Sequence, residues 1–435
     1  MTHQIDTHGK FWQSEPAVQG LLRQLQHAAD HSSFYRRLLR RFWKERDAGA
    51  PFDRGSFQRI GFTTKDDLRQ HFPHGFRAVP MDEIAGYFES SGTSTGDIGS
   101  SRCAAWRTAD DLARDRARRI TALRHIDRAS VAVVHLPYAL TSSAQCFHQA
   151  LQEAGLVPVA LDQGQVLSSP SRVIELCEAL QASILVTSDP WLLRDIALHE
   201  RGEDPFLSLP LKAVATVGLP LSPARRRDFG QRFGVDVMSY YGLSEFGAVG
   251  LPDEERIAIS EDFLVEIHNP SDPRATVGEI VVTDLLQRAS PLIRYRTGDV
   301  GHLEIGTNGK IHIEVFGRLS EAIPDGGQFL MPTDFQDLFS GLENTSPVHR
   351  VTVSGGGDDP VVVRVDAQQY RDDPAERATL EERLRRLTNH STQIQVHRLG
   401  ELFPDAYNQS QHRAAQFSKR MAFHDARRRD WIVTY

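Results

Sequence analysis

At 435 residues, 40% apolar and 25% charged, the chain is long enough for two domains and has the balance of an ordinary globular protein. A net charge of -7 argues against nonspecific nucleic-acid binding, and no apolar run approaches the roughly 20 residues that span a bilayer. Cys103, Cys146 and Cys177 are far apart and match no zinc spacing, so buried free thiols in a cytoplasmic protein without a leader peptide are expected.

In chain order, residues 17–43 carry apolar side chains at helical spacing with a break near His31, Ser32 and Ser33, which predicts two short helices packed on something larger. Thr64 followed by Lys65, Asp66 and Asp67 is a helix start, a Thr cap with acidic residues in the first turn. The segment Glu89–Arg102 reads ESSGTSTGDIGSSR, in which glycines let a backbone approach an anion and hydroxyls donate to its oxygens. Taken alone it is either a phosphate cradle or a solvated surface loop. An arginine-rich amphipathic helix over Thr108–Ile126 follows.

Strand-like runs at 131–136, 155–161, 183–188, 211–218 and 236–242 then alternate with helical stretches such as Ser142–Glu153, Ser171–Leu180 and Pro223–Phe233. Continuous Val, Ile and Leu strands separated by helices predict a parallel sheet covered on both faces, with ligands outside the carboxyl ends of the strands. His135, Tyr138, Gly218 and the stretch Tyr240–Glu245 fall near that rim. From about residue 257 to 317 the pattern shifts to short β pieces broken by turns, a small antiparallel sheet or barrel. The composition changes again at Gly317 and Arg318, and residues 318–435 read as a small α+β domain.

Four stretches can carry chemistry. In Tyr240–Glu245 an aromatic and a glycine at a strand exit can face a flat heterocycle, while Glu245 can hold a hard cation through oxygen. Alternation in Ser290–Asp299 puts Arg294 and Arg296 on one face and Tyr295 on the other, and Asp299 after the Thr297-Gly298 turn can accept sugar hydroxyls. Arg318 can pair with phosphate or ribose, or form an interdomain ion pair. Lys419 draws notice because lysine is rare here: only Lys10, Lys44, Lys65, Lys212 and Lys310 accompany it.

Taken in order, LLRQLQHAADHSSFYRRLL, TTKDDLRQHFP, FESSGTSTG, YYGLSEFG, VGEIVVTDLLQRASPLIRYRTGD and the Gly317-Arg318 pair resemble the adenylate-forming enzymes, most of all their phenylacetate-CoA ligase branch. The resemblance implies an α/β fold: a large adenylation domain over 1–317 with mainly parallel sheets and a β-rich subdomain, then a small mobile α+β domain over 318–435. It implies ATP-dependent activation of a small, aryl carboxylic acid as an acyl-adenylate with loss of pyrophosphate, then transfer to a thiol such as CoA. By similarity Ser90, Ser91, Gly92, Thr93, Ser94, Thr95 and Gly96 would embrace the terminal phosphates, and Tyr241 would lie against adenine with Gly218, Gly242 and Ser244 close by. Glu245 would hold Mg²⁺, Asp299 and Arg318 would serve the ribose, and Lys419 would stand between carboxylate and α-phosphate. The acyl pocket is expected near His135, Tyr138 and Ala139. The family's hinge aspartate is replaced here by Leu319-Ser320-Glu321. That departure motivates an alternative in which an amine or carrier protein accepts the acyl group, or an inorganic oxyanion such as nitrite is activated. A catalytically silent nucleotide-binding scaffold is a further alternative. A homodimer is compatible with the resemblance; nucleic acid and membrane are not expected as partners.

Overall fold

The computed structural model describes residues 9–89, 103–123, 126–163, 168–272, 275–325, 328–356, 359–402 and 423–425. Six helices come first: α1 (Gly9–Gln13), α2 (Glu15–His31), α3 (Ser33–Leu38), α4 (Arg40–Asp47), α5 (Arg54–Gln58) and α6 (Lys65–Gln70). The break expected near Ser32 is present because Ser32 is extended and its hydroxyl accepts the Tyr35 N–H, which starts a new helix. Thr64 and Asp67 cap α6 reciprocally.

A hairpin, β1 (Ile84–Glu89) and β2 (Ala104–Thr108), brackets the glycine loop and was not legible as strands. After α7 (Ala109–Leu123) come β3 (Val131–Leu136), α8 (Ser142–Glu153), β4 (Val157–Asp162), α9 (Pro170–Ala179), β5 (Ile184–Thr187), α10 (Pro190–Arg201), β6 (Ala213–Val217), α11 (Pro223–Phe233) and β7 (Asp236–Leu243). Strands β3 to β7 pair in parallel in the order β4-β3-β5-β6-β7, as the alternation predicts. One face packs under α8, the other under α9, α10 and α11.

The antiparallel region differs from the expected separate sheet. It begins at β8 (Gly247–Asp253) and runs through β9 (Arg256–Ile259), β10 (Phe263–His268), β11 (Val277–Asp284), β12 (Tyr295–Ile305) and β13 (Ile311–Arg318). All of these extend the parallel sheet into one of 11 strands. The reason lies in β7: its first part, to Tyr240, pairs parallel with β6, while Tyr241–Leu243 pairs antiparallel with β8. Helices α2 to α6 cover the antiparallel half, with Leu21, Leu25, Tyr35 and Phe57 buried against Val265, Ile280, Ile293 and Tyr295.

Beyond Arg318 lie the hairpin β14 (Ile323–Asp325) and β15 (Gln328–Leu330), α12 (Pro332–Asp337), β16 (Thr345–Gly356), β17 (Asp359–Gln369), α13 (Pro374–Leu387), β18 (Ser391–Arg398) and β19 (Phe423–Asp425). Strands β16 to β19 form a four-stranded sheet in the order β18-β17-β16-β19, and the unit has its own core around Phe335, Val353, Val363 and Leu384. This unit docks on α10 and α11 through polar groups. Asp195 accepts the hydroxyls of Tyr370 (2.8 Å) and Ser346 and pairs with Arg194 (3.0 Å), which also pairs with Asp204. Gln336 donates to the Pro220 carbonyl at 2.9 Å. Among the described residues no helix is long and apolar enough to cross a membrane, and all three cysteines are free and buried.

Two buried histidines set a pH dependence. Burial pushes His135 and His349 down from 6.5 to about 4, so each stays neutral in the fold where the unfolded chain would take up a proton. Their contribution is complete above pH 6.5 and is lost as pH falls to 4, at up to roughly 1.4 kcal/mol per pH unit for each. Urea unfolding followed between pH 7 and 4.5 is expected to show stability falling through this window, with a shallower slope in the His135→Asn variant.

Candidate active site

The register of the β12–β13 hairpin sets Asp299 directly opposite Arg318. The guanidinium Nε of Arg318 lies 2.9 Å from Asp299 Oδ1, and a second Arg318 nitrogen donates to the Thr297 carbonyl at 3.2 Å. Asp299 Oδ2 accepts the Tyr241 hydroxyl at 2.9 Å, which ties the end of β7 to the hairpin. The turn that exposes Asp299 needs Gly298, whose φ is 79°, in the left-handed region that side chains disfavour.

Two residues past Leu243, Glu245 is buried, and its Oε1 accepts the Tyr295 hydroxyl at 2.9 Å. Tyr295 thus uses the face opposite Arg294, as the alternation predicts. Arg294 pairs with Glu266 at 3.0 Å and Arg296 with Glu279 at 2.6 Å. Burial first, and the adjacent carboxylate second, raise the Tyr241 and Tyr295 phenols well above the usual tyrosine range, so both remain donors. Gly242 is required by close approach: a Cβ there would meet the Gly247 carbonyl oxygen at 2.9 Å. The Ser244 carbonyl accepts Arg107, which also donates to Gln287 at 2.6 Å.

Lys65 joins this group although the sequence marks it only as part of a helix start and as one of few lysines. Thr63 inserts beside the hairpin: its N–H donates to the Arg294 carbonyl at 3.1 Å and its carbonyl accepts the Arg296 N–H at 2.9 Å. Its hydroxyl reaches the Ile293 carbonyl at 2.8 Å and meets Tyr35 at 3.0 Å. That anchorage carries the half-buried Lys65 into the field of Glu245, Asp299 and Arg318. Burial, then Arg318, hold its ammonium below the usual lysine range, while the two carboxylates pull the other way. The buried Cys103, just past the glycine loop, donates its thiol to the Lys65 carbonyl at 3.9 Å.

The structure therefore brings together Tyr241, Gly242, Ser244, Glu245, Asp299 and Arg318, with Gly218 ending β6 next to β7. It does not bring His135 and Tyr138 to one wall. His135 points to the α9 side and bonds to the Ser168 backbone. Tyr138 packs toward α8, its hydroxyl 3.3 Å from His148, and Ala139 is exposed. Residues Ser90–Gly96 and Lys419 lie outside the described residues. Among the described residues no group of three or more Asp, Glu, His or Cys converges on one point. A hard cation at Glu245 would then take its remaining ligands from water and phosphate oxygen, which suits Mg²⁺.

No protein-family model matches the sequence. The chain is 27% identical over 401 residues to the phenylacetate-coenzyme A ligase of Pseudomonas putida, covering 87% of this chain and 88% of that protein. It is 28% identical over 361 residues to that of Thermus thermophilus, covering 78% and 77%. Among solved structures, 2-hydroxyisobutyryl-CoA ligase in its postadenylation state with R3-HIB-AMP superposes with a TM-score of 0.73 at 18% identity, over 88% of this chain and 85% of that one. The same ligase in its thioesterification state gives 0.60. The fold is that of the adenylate-forming CoA ligases. In sequence the chain is similar to proteins named as phenylacetate-coenzyme A ligases, at 27–28% identity.

Replacing Tyr295 by Phe removes a buried donor to Glu245 and is expected to lower stability by about 1–3 kcal/mol. Chemical denaturation checks this, and an unchanged midpoint would show that the Tyr295 bond to Glu245 adds nothing to the fold.

Proposed function

We propose that this chain activates a small, aryl carboxylic acid with ATP and passes the acyl group to a thiol, CoA in the first instance. In the first step a carboxylate oxygen attacks the α-phosphorus, a P–O bond forms and pyrophosphate leaves. In the second, the thiol sulfur attacks the acyl carbon, AMP leaves and the thiol proton goes to solvent. The observation that carries the reading is the convergence of Asp299, Arg318, Tyr241, Glu245 and Lys65 at the junction of the parallel and antiparallel halves of the sheet. Two anions must meet, so the site has to neutralise charge and fix an in-line approach.

In this reading Asp299 accepts the ribose hydroxyls, oriented by Arg318 and Tyr241, whose ring borders adenine beside Gly218 and Gly242. Glu245 would hold Mg²⁺, which would screen the phosphates; Tyr295 fixes the direction of its carboxylate. Lys65 offers a point charge on a rigid mount, and Lys419 a second from the far end of the chain. The Ser90–Gly96 loop, bracketed by β1 and β2, takes the β- and γ-phosphates. Relatives named as phenylacetate-coenzyme A ligases support the acid class and CoA.

A second reading changes only the acceptor. Glu321, 1% exposed, accepts the Arg318 N–H at 3.0 Å and so braces the segment where the hinge is expected. A braced hinge favours delivery of the adenylate to an amine or a carrier protein over a rotation that admits CoA.

Pyrophosphate release measured across a panel of aryl and short aliphatic acids is expected to be acid-dependent, and absence with every acid overturns the proposal. Lys65→Ala should lower the adenylation kcat by about 10²-fold or more with a smaller change in ATP affinity; Lys419→Ala should do the same. Stoichiometric acyl-CoA excludes the second reading, whereas AMP without CoA consumption selects it.

A further inference from the structure

One set of buried polar groups lies outside the nucleotide site and has no partner. Arg119 on α7 is 1% exposed; its one satisfied nitrogen reaches Asp115 at 3.2 Å, while its Nε and Nη1 make no hydrogen bond. The hydroxyls of Tyr240 on β7 and Ser142 on α8, both buried, are also without partners. Leaving such a group dry and unpaired is destabilising. Arg119 and Tyr240 at one place, with Ser142 within a turn and a half of it on α8, call for an acceptor.

Arg119 and Tyr240 share a place at Phe147. The Arg119 guanidinium sits 4.4 Å above the Phe147 ring, and the Tyr240 ring meets the same ring edge-on at 4.9 Å. Cys146, beside Phe147 on α8, lies in the field of Asp115 and Arg119. Ser142 is one helical turn earlier on that face, nearer the start of α8 and the carboxyl ends of the strands. Tyr138, half-buried at the rim, packs against the apolar cluster that includes Phe147 and Tyr240. Tyr240 is also the residue before Tyr241, whose hydroxyl holds Asp299.

The charge balance narrows the ligand. Asp115 already neutralises Arg119, and Arg118 pairs with Asp262 at 2.6 Å, so the cluster demands hydrogen-bond acceptors rather than another anion. We infer that Arg119, Tyr240 and Ser142 form a subsite for a neutral oxygen function, a hydroxyl, ether or ketone, on the end of the acid substrate remote from its carboxylate. This rests on the adenylation reading above and deepens it by naming the substrate class: oxygen-substituted acids over plain hydrocarbon ones. A pocket of this kind rejects the analogue lacking the oxygen, because its donors are then left unpaired.

The test compares kcat/KM for acid-dependent pyrophosphate release with paired acids: phenylacetate against 4-hydroxyphenylacetate and 4-methoxyphenylacetate, and benzoate against 4-acetylbenzoate. At least one oxygenated acid is expected to exceed its parent by about tenfold or more. Tyr240→Phe and Ser142→Ala, which remove one oxygen each, are expected to reduce that ratio by about tenfold. Equal use of parent and oxygenated acids, or a ratio unmoved in both variants, overturns the inference while leaving adenylation intact. If no acid in the panel releases pyrophosphate, adenylation itself fails. Thermal shift with the same acids then decides: stabilisation of the wild type by an oxygenated acid alone, lost in Tyr240→Phe, supports the subsite, and no such stabilisation overturns it.

Discussion

The structure turns on holding two carboxylates, Asp299 and Glu245, away from bulk water at the centre of one sheet. Each receives a phenol at 2.9 Å, and the two phenols come from different strands: Tyr241 from β7 and Tyr295 from β12. A buried carboxylate without donors would be destabilising, so each tyrosine is a structural requirement before it is anything else. The pairs are reciprocal in another sense. β7 supplies Tyr241 to the hairpin and receives, for its own Glu245, a tyrosine of that hairpin. Neither half of the sheet can slip in register without breaking both bonds.

From that constraint the odd shape of the sheet follows. A parallel βα array ends in an unpaired strand edge, which has to be covered or continued. β7 continues it by turning from parallel to antiparallel pairing within eight residues, and the turn to β8 is so tight that Gly242 and Gly247 meet backbone to backbone. The N-terminal helices then have a defined task. They cover the face that the antiparallel strands would expose, and through Thr63 they reach the strand that carries Tyr295. Lys65 is placed by that contact rather than by its own helix. A side chain near the start of the sequence is thus indexed to a hairpin more than two hundred residues later.

What could be read from residues alone divides along the same line. β3, α8 and α11 match their expected bounds because local apolar period and capping decide them. The helix α10, capped by Asp189 and opened by Pro190, falls between the runs at 183–188 and 211–218 where the alternation expects a helical stretch. β8 was missed because GAVGLPD carries glycine and proline and becomes a strand only beside β7 and β9. The motif residues of YYGLSE and RYRTGD were legible as site material, but the bonds joining Tyr241 to Asp299 and Tyr295 to Glu245 were not: they depend on register between distant strands. Lys65 and the unpaired trio of Arg119, Tyr240 and Ser142 share that condition. Alternation along β3 sends His135 toward α9, where it bonds to the Ser168 backbone, while Tyr138 packs toward α8.

The unit beyond Arg318 is joined by different physics. Among the described residues its contact with α10 and α11 has a small apolar patch, Leu192 and Ile196 with Leu402 and Val348, beside hydrogen bonds and ion pairs centred on Asp195. Groups of that kind regain water when separated, so undocking such a surface sacrifices less than opening the continuous core beneath α2 to α6. The chain therefore combines a rigid body, in which the carboxylates and their phenols are locked by sheet register, with an appended body held by exchangeable bonds. The bonds around Asp195 hold the unit in one docked arrangement. Asp195, Tyr370 and Ser346 stand to that arrangement as Tyr241 and Tyr295 stand to the site. Each set is a buried carboxylate satisfied by hydroxyls from another segment, but only the first has no strand pairing behind it.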